Sequence, residues 1–337
     1  MSEVLPTSDV FPRTPPPDVS VVIPTFNRRR FLPSAIASAR AQTLTDIEII
    51  VVDDGSTDGT AGITAALAAS DPRMRVVRQD NRGPSAARNV GLACATAQWV
   101  AFLDDDDLWH PDFLSQMLAF VEQHGLQAGA CLAVGFSGPP EVHEALAVLA
   151  EPARFSVAPW PPRPPGRGVI ALAELLLRPL APVNSAFLAV EAVRDLGGFD
   201  EKLIWAEDYD LWLRLAHLQP VRVLNKRLAL CRVHPSRLTS SLGRMANQTR
   251  TVLESFIATH PGVERLPGRW PLARRLATLC REEAYAALTS GDAAAAKRAA
   301  AAAVRRDPLV AKAWGYLLVA PWPGLYRRLR RLLGRTG

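Results

Sequence analysis

Four times in the first 107 residues an apolar, β-prone run stops abruptly in polar residues. The runs are Val19-Ser20-Val21-Val22-Ile23-Pro24, Ile47-Glu48-Ile49-Ile50-Val51-Val52, Met74 to Arg78, and Trp99-Val100-Ala101-Phe102-Leu103. Short continuous apolar runs suit strands buried on both faces of a parallel sheet. Helical patterns separate them, from about Arg30 to Gln42 with Leu32, Ile36 and Ala39 on one face, to about Ala69, from Gly83 through Ala95, and from Pro111 to about His124. Strand–helix units in succession predict an open, mostly parallel α/β sheet. In such sheets ligands sit beyond the carboxyl ends of the strands. Three of those ends carry chemistry: Thr25-Phe26-Asn27-Arg28, Asp53-Asp54, and Asp104 to Asp107.

The acidic end is the most demanding. Four consecutive carboxylates at a buried strand end repel one another. A divalent cation would remove that cost, and hard oxygen ligands on alternate residues suit Mg²⁺ or Mn²⁺ carrying a diphosphate. The other reading is a solvated acidic turn that caps the following helix.

Downstream, Ala128 to Phe136 reads as a strand, Pro152 to Gly168 as a Pro-rich loop, and Asn184 to Val190 as a strand. A turn at Leu196-Gly197-Gly198-Phe199-Asp200-Glu201 precedes a helix with Leu211, Leu215 and Leu218 in register. That spacing puts Glu207 and Asp208 in the helix's first turn, where acids also complement the dipole. Val221 to Val233 reads as a last strand or hairpin, followed by His234.

Length and composition narrow the classes. A chain of 337 residues, 48% hydrophobic, can bury one large core or two modest ones. Cys94, Cys131, Cys231 and Cys280 are widely separated, so neither a zinc site nor a disulfide framework is expected. No signal pattern opens the chain and no run of about 18 apolar residues exists. The expectation is a cytoplasmic protein, with any membrane contact peripheral, on the inner face of the cytoplasmic membrane. Residues 1–17 are polar and Pro-rich and are expected to form a disordered leader.

Taken together, Val21-Val22-Ile23-Pro24-Thr25-Phe26-Asn27-Arg28, Val51-Val52-Asp53-Asp54-Gly55-Ser56-Thr57-Asp58-Gly59-Thr60, Asn81-Arg82-Gly83-Pro84-Ser85-Ala86-Ala87-Arg88-Asn89 and Phe102-Leu103-Asp104-Asp105-Asp106-Asp107 resemble the motifs of family 2 glycosyltransferases. Gly197-Gly198-Phe199-Asp200 and Glu207-Asp208-Tyr209-Asp210-Leu211-Trp212 extend the resemblance over roughly residues 18–240. It implies a GT-A fold, a nucleotide-diphosphate sugar donor (a UDP-sugar favoured), a divalent metal, and inversion at the anomeric carbon.

By the same resemblance Asp54 faces the nucleobase, with Asp53 and the Pro24-Thr25 backbone lining its pocket. Asn27, Arg28 and Asp105 join the donor-binding set. Arg88 lies near the diphosphate, although a solvated helix face would also explain it. Asp106 is a metal ligand and Asp104 completes the D-x-D pair, while His234 is either a further ligand or structural. Asp208 is the general base, Glu207 orients the acceptor, and Trp205 either stacks on a sugar or belongs to the core. The Gln-x-x-Arg-Trp motif of processive members is missing, which implies one sugar added per encounter. The acceptor would be a cell-surface glycan, lipid-linked or polysaccharide.

Residues 241–337 read as a helical extension beyond the GT-A domain at 18–240. Two Ala-rich helices meet at Ser290-Gly291-Asp292 with Asp292 as N-cap. From Trp314 the chain turns apolar and aromatic, and Leu325 to Leu333 alternates leucine and arginine faces. That tail either lies on an anionic bilayer or docks on its own domain. Nucleic acid is not expected, since no stacking platform accompanies the arginines. Two other functions share the architecture. A sugar nucleotidyltransferase would carry a Gly-rich loop with Lys after the first strand, which is absent. A non-catalytic nucleotide-sugar-binding protein would not need both the acidic pair and Asp208.

Overall fold

The structure is a computed structural model that describes residues 15–136, 158–160, 168–179, 181–219, 221–233 and 242–332. The leader up to residue 14, most of the Pro-rich loop, His234 and the last five residues of the tail lie outside the described residues. The described residues fall into two compact units, one within Met1–Ala171 and Pro179–His234, the other within Leu172–Arg178 and Pro235–Gly337.

The first unit is built on the expected strands. β1 (Val19–Thr25), β2 (Ile47–Asp53), β3 (Met74–Arg78) and β4 (Trp99–Phe102) run parallel in the order β3-β2-β1-β4. β1 and β2 are buried at every position, as unbroken apolar runs require. Helices α1 (Leu32–Arg40), α2 (Thr60–Ala69) and α3 (Pro84–Cys94) make the crossovers. α3 lies so close to β1 that a Cβ on Gly91 would meet Val22 Cγ1 at 2.2 Å.

Beyond β4 the sheet becomes mixed. β5 (Leu108–Trp109), α4 (Phe113–His124) and β6 (Ala128–Phe136) follow. The short β7 (Ala158–Trp160) and β8 (Val169–Ile170) pair antiparallel with β6 and the last strand. β9 (Ala186–Ala189) is antiparallel to both β4 and β6, and β10 (Val221–Arg232) is parallel to β6. The strand expected from Asn184 is shorter because Val183–Ser185 forms a 3₁₀ turn. That turn frees the Asn184 side chain to donate to Asp107 Oδ2 at 2.6 Å. Val221 to Arg232 is one strand rather than a hairpin, with register shifts between Leu224 and Ala229. β5 has no signal in the sequence, since two residues set no period. Its antiparallel pairing with Ala229 and Leu230 creates it.

α5 (Leu172–Leu175) belongs to the second unit; α6 (Val190–Asp195) and α7 (Glu207–Leu218) belong to the first. The rest of the second unit is helical: α8 (Leu242–Thr259), α9 (Arg269–Ser290), α10 (Ala293–Arg306), α11 (Ala311–Val319) and α12 (Pro323–Leu332). Small side chains set the spacing there, and a Cβ on Gly243 would lie 2.2 Å from that of Ala286. Asp292 caps α10 by accepting from the Ala295 amide at 2.8 Å. Arg250 pairs with Glu254 and Glu283 at 2.6 Å each, and Arg306 also reaches Glu254. None of the four cysteines forms a disulfide, and no helix among the described residues is long and apolar enough to cross a membrane.

Candidate active site

The carboxyl ends of β1, β2 and β4 hold the acidic and basic residues that the motifs singled out. Pro24 and Thr25 close β1, both buried, and the Thr25 carbonyl accepts from the Asp54 amide at 2.8 Å. The next loop is tied to the one after β2. Asn27 donates its amide to Ser56 Oγ at 2.9 Å and accepts from the Thr57 amide at 2.8 Å. Asn27 takes a left-handed φ of 54°, which Asn tolerates better than most residues.

Asp53 and Asp54 are both engaged within the protein. Asp53 accepts from the Ser56 amide at 2.9 Å and from Arg78 at 2.8 Å. Asp54 accepts from Gln79 at 2.7 Å, from the Arg82 amide at 2.9 Å and from the Gly83 amide at 2.8 Å. Asp54 therefore fastens the β2 end to the start of α3, while Asp53 ties it to the next turn and to the end of β3.

The four aspartates divide into two jobs. Asp107 is buried and accepts from Asn184 and, at 2.7 Å, from the Arg232 amide. It binds β10 to the end of β4. Asp105 and Asp106 face Arg28, at 3.7 and 3.9 Å. Burial, and then the Asp106 charge, hold the Asp105 carboxyl well above the usual carboxylate range. Asp104 is more exposed and accepts from Arg88 Nη2 at 2.7 Å.

Arg88 is the hinge of the arrangement. The solvated-face alternative for it is wrong: it is 4% exposed and spans two elements. Its other terminal nitrogen donates to Glu207 Oε1 at 2.7 Å, and its guanidinium lies 5.5 Å from the Phe199 ring. One buried cation thus joins the end of β4 to the first turn of α7. The charges of Asp104 and Glu207 keep it protonated against the cost of burial.

The neighbours of Arg88 explain two motifs at once. Asn89 accepts from the Phe199 amide at 2.8 Å and donates to the Phe199 carbonyl at 2.9 Å. Ser85 donates to the Leu203 carbonyl at 2.8 Å. From α7, Arg214 donates to the carbonyls of Leu196 and Gly198 at 3.0 and 2.9 Å. A Cβ on Gly198, with φ of 72°, would come within 2.5 Å of Asn89 Oδ1. The Gly83-to-Asn89 and Gly197-to-Asp200 motifs are two halves of one strap that presents the N-terminus of α7.

At that N-terminus Ala206 has a left-handed φ of 62°, an uncommon conformation for alanine that costs about 1–3 kcal/mol. Glu207 is buried against Arg88, and Asp208 accepts from the Tyr209 amide at 2.7 Å. Burial, and next the Glu207 charge, push the Asp208 carboxyl up to about 7, with Arg88 acting in the opposite direction. A carboxylate titrating there is poised to take a proton near neutral pH. Trp205 is partly buried beside it.

Arg232 is the residue the sequence concealed. It is 1% exposed, donates through Nε to the Asp106 carbonyl at 2.9 Å, and lies over the rings of Phe136 and Phe31 at 4.7 and 5.4 Å. An arginine ending an apolar strand was the available signal. Among the described residues no three His, Cys, Asp or Glu side chains are grouped to hold a metal by themselves.

Comparison with known proteins agrees with this architecture. Residues 20–160 match the family model described as Glycosyl transferase family 2. The succinoglycan biosynthesis protein ExoO of Rhizobium meliloti is 42% identical over 112 residues, 33% of this chain and 32% of that protein. An uncharacterized glycosyltransferase of Rickettsia felis is 42% identical over 106 residues, 32% of this chain but 17% of its own length. The chain therefore spans a third or less of these curated relatives. An uncharacterized glycosyltransferase of Rickettsia typhi is 26% identical over 72% of each chain.

Among solved structures, S. aureus TarS 1-349 in complex with UDP-GlcNAc superposes with a TM-score of 0.62 at 20% identity, over 92% of each chain. The mannosyltransferase PcManGT of Pyrobaculum calidifontis, in complex with GDP-Man and Mn²⁺, gives 0.57 at 20% identity, over 95% of this chain and 88% of that one. These likenesses establish the GT-A fold. With the motif-bearing strand ends, they agree with the family match: residues 20–160 are a glycosyl transferase family 2 region.

Proposed function

We propose that the protein is a metal-dependent, inverting, non-processive glycosyltransferase. It moves one sugar from a nucleotide-diphosphate sugar, a UDP-sugar in the first instance, to a hydroxyl of a cell-surface glycan, lipid-linked or polysaccharide acceptor. The observation that carries this reading is the Asp104–Arg88–Glu207 bridge, which holds Asp208 beside the acidic end of β4. The ligands of the TarS and PcManGT complexes, UDP-GlcNAc and GDP-Man with Mn²⁺, support the donor class.

In this reading Asp208 takes the proton of the acceptor hydroxyl. The acceptor oxygen then bonds to the anomeric carbon as the bond from that carbon to the diphosphate oxygen breaks on the opposite face, which inverts the centre. Asp54 and Asp53, with Pro24, Thr25 and Asn27, line the nucleoside side. Arg28 and Arg88 bring positive charge towards the diphosphate. Glu207 and Trp205 orient the acceptor.

The donor set fits Mg²⁺ or Mn²⁺. Asp104 and Asp106 offer hard carboxylate oxygens on alternate residues, with Asp105 between them and His234 as a further candidate beyond β10. Because no self-sufficient metal cluster exists among the described residues, such a cation would depend on the donor's phosphate oxygens, a habit suited to Mg²⁺. When bound it would supply Lewis-acid stabilisation of the departing diphosphate. Peripheral residence at the inner face of the cytoplasmic membrane, through residues 314–337, belongs to the same reading, as does the division at about residue 240.

Calorimetric titration with UDP, dTDP and GDP, each with and without Mn²⁺, tests it. One nucleotide should bind tightly, and more weakly without metal or in Asp106→Ala. Binding of none of them would end the proposal.

A further inference from the structure

α11 and α12 have two faces of different character. The inner face is closed by Tyr316, Val319 and Tyr326 against buried Leu288, Ala296 and Ala320, with Tyr285, Tyr316 and Tyr326 in a chain of ring contacts at 6.1 Å. The outer face is the reverse of what water favours. Trp314, Leu318, Trp322 and Leu325 are 46, 71, 62 and 53% exposed. Trp314 and Leu318, four apart, share a face of α11, and Trp322 and Leu325, three apart, open α12; these two exposed pairs make up the apolar stripe. The Trp314 indole N–H is already satisfied by the Pro308 carbonyl at 2.9 Å, so that ring can leave water without stranding a donor.

Charge identifies what covers the stripe. After Asp307 the chain has no acidic residue, while it carries Lys312, Arg327, Arg328, Arg330, Arg331 and Arg335. Those six cations account for the whole formal net charge of +6. The 307 residues before them are balanced. Arg327 and Arg328 are exposed. A second copy of the chain would bring the same positive charge to the face, and nucleic acid would have no use for the exposed leucines. An anionic bilayer takes both, with apolar and indole groups at the acyl boundary and guanidinium groups among the head groups.

We infer that the Trp314–Leu318–Trp322–Leu325 stripe, flanked by Arg327 and Arg328, is the face that docks the protein in the plane of an anionic membrane. This deepens the peripheral-membrane reading and is independent of the transfer chemistry. The test is co-sedimentation of the full-length protein with vesicles of phosphatidylcholine alone or with 30 mol% phosphatidylglycerol (about a third anionic, enough for a negative surface).

Wild-type protein should bind the anionic vesicles and be released by salt. Leu318→Ser/Trp322→Ala and Arg327→Gln/Arg328→Gln should each weaken partitioning by about tenfold or more, with nucleotide binding as the check on folding. Wild-type protein that stays in the supernatant overturns both this face and the membrane reading. Binding that neither double variant weakens overturns this face alone. Equal binding to neutral vesicles overturns the anionic assignment. A dimer that the stripe variant dissolves, without lipid binding, makes the face an interface between copies.

Discussion

The two ends of the same parallel strands treat buried carboxylates in opposite ways. At the amino end Glu48 accepts from Ser20 Oγ at 2.6 Å, from the Thr96 amide and hydroxyl at 2.7 and 2.8 Å, and from Arg75 at 2.9 Å. One carboxylate has four donors, and the network is closed. At the carboxyl end, about 15–20 Å along the strands, Asp104, Asp105, Asp106, Glu207 and Asp208 gather around Arg28 and Arg88. Acid is in excess there, and burial, with the neighbouring carboxylate charge next, pushes two of the carboxyls up. A satisfied buried network fixes a structure, whereas an excess of like charge stores a demand for a cationic or protonated partner. The amino end is built to hold the fold together, and the carboxyl end is built to receive something.

That contrast can be broken in several ways. The largest effect should come from Asp208→Asn, which removes the proposed base. Transfer should fall by about 10³-fold, within the range for a general base, while calorimetry finds nucleotide affinity within about twofold. Loss of nucleotide binding instead would move Asp208 out of the base role.

Arg88→Met should come next, because it leaves two carboxylates near 2.7 Å contacts without their cation. Urea unfolding should show a loss of about 3–5 kcal/mol, and a loss below ~1 kcal/mol would deny Arg88 its bridging weight. At the closed end, Glu48→Ala strands the Ser20 and Thr96 donors and should cost about 2–3 kcal/mol, with kcat/KM of the folded enzyme unchanged. An activity loss without a stability loss there would erase the distinction between the ends.

The pH dependence follows from sign. As the proposed general base, Asp208 works deprotonated, so transfer should drop about tenfold per pH unit below about 7. Because its folded pKa is raised, its contribution to stability is present in acid, below the ordinary aspartate value of 3.8, and is lost as pH rises through about 7. A flat rate profile from pH 5 to 8 would contradict the assignment. Smallest of all, Ala206→Gly should relieve the left-handed φ and raise stability by up to about 1 kcal/mol. Thermal melting would detect that as a rise of a few degrees.

The strand ends were legible because each motif carries its own local logic. An apolar run buries itself, and the polar residues after it must emerge at the sheet's edge. Asp105, Asp106 and Arg28 could be brought to one edge of the sheet because each follows the carboxyl end of a parallel strand. Arg88 could not. Nothing within α3 distinguishes a guanidinium aimed at solvent from one locked to Asp104 and to Glu207, 119 residues further on. The same holds for Asn89 and Gly198, and for Asp107 and Arg232, whose partners come from other strands.

By itself, the sequence determined the four parallel strands β1 to β4, though not their order in the sheet, the first-turn position of Glu207 and Asp208, and the basic stretch after Asp307, because periodicity and charge are local properties. Only the tertiary structure decided which aspartates serve the fold and which face the site. It also decided that β5 exists, that Asp54 fastens the start of α3, and that one arginine sets α7 against the end of β4. Those outcomes depend on which donors approach each carboxylate through space, and a burial cost is met only by partners that chain order does not place.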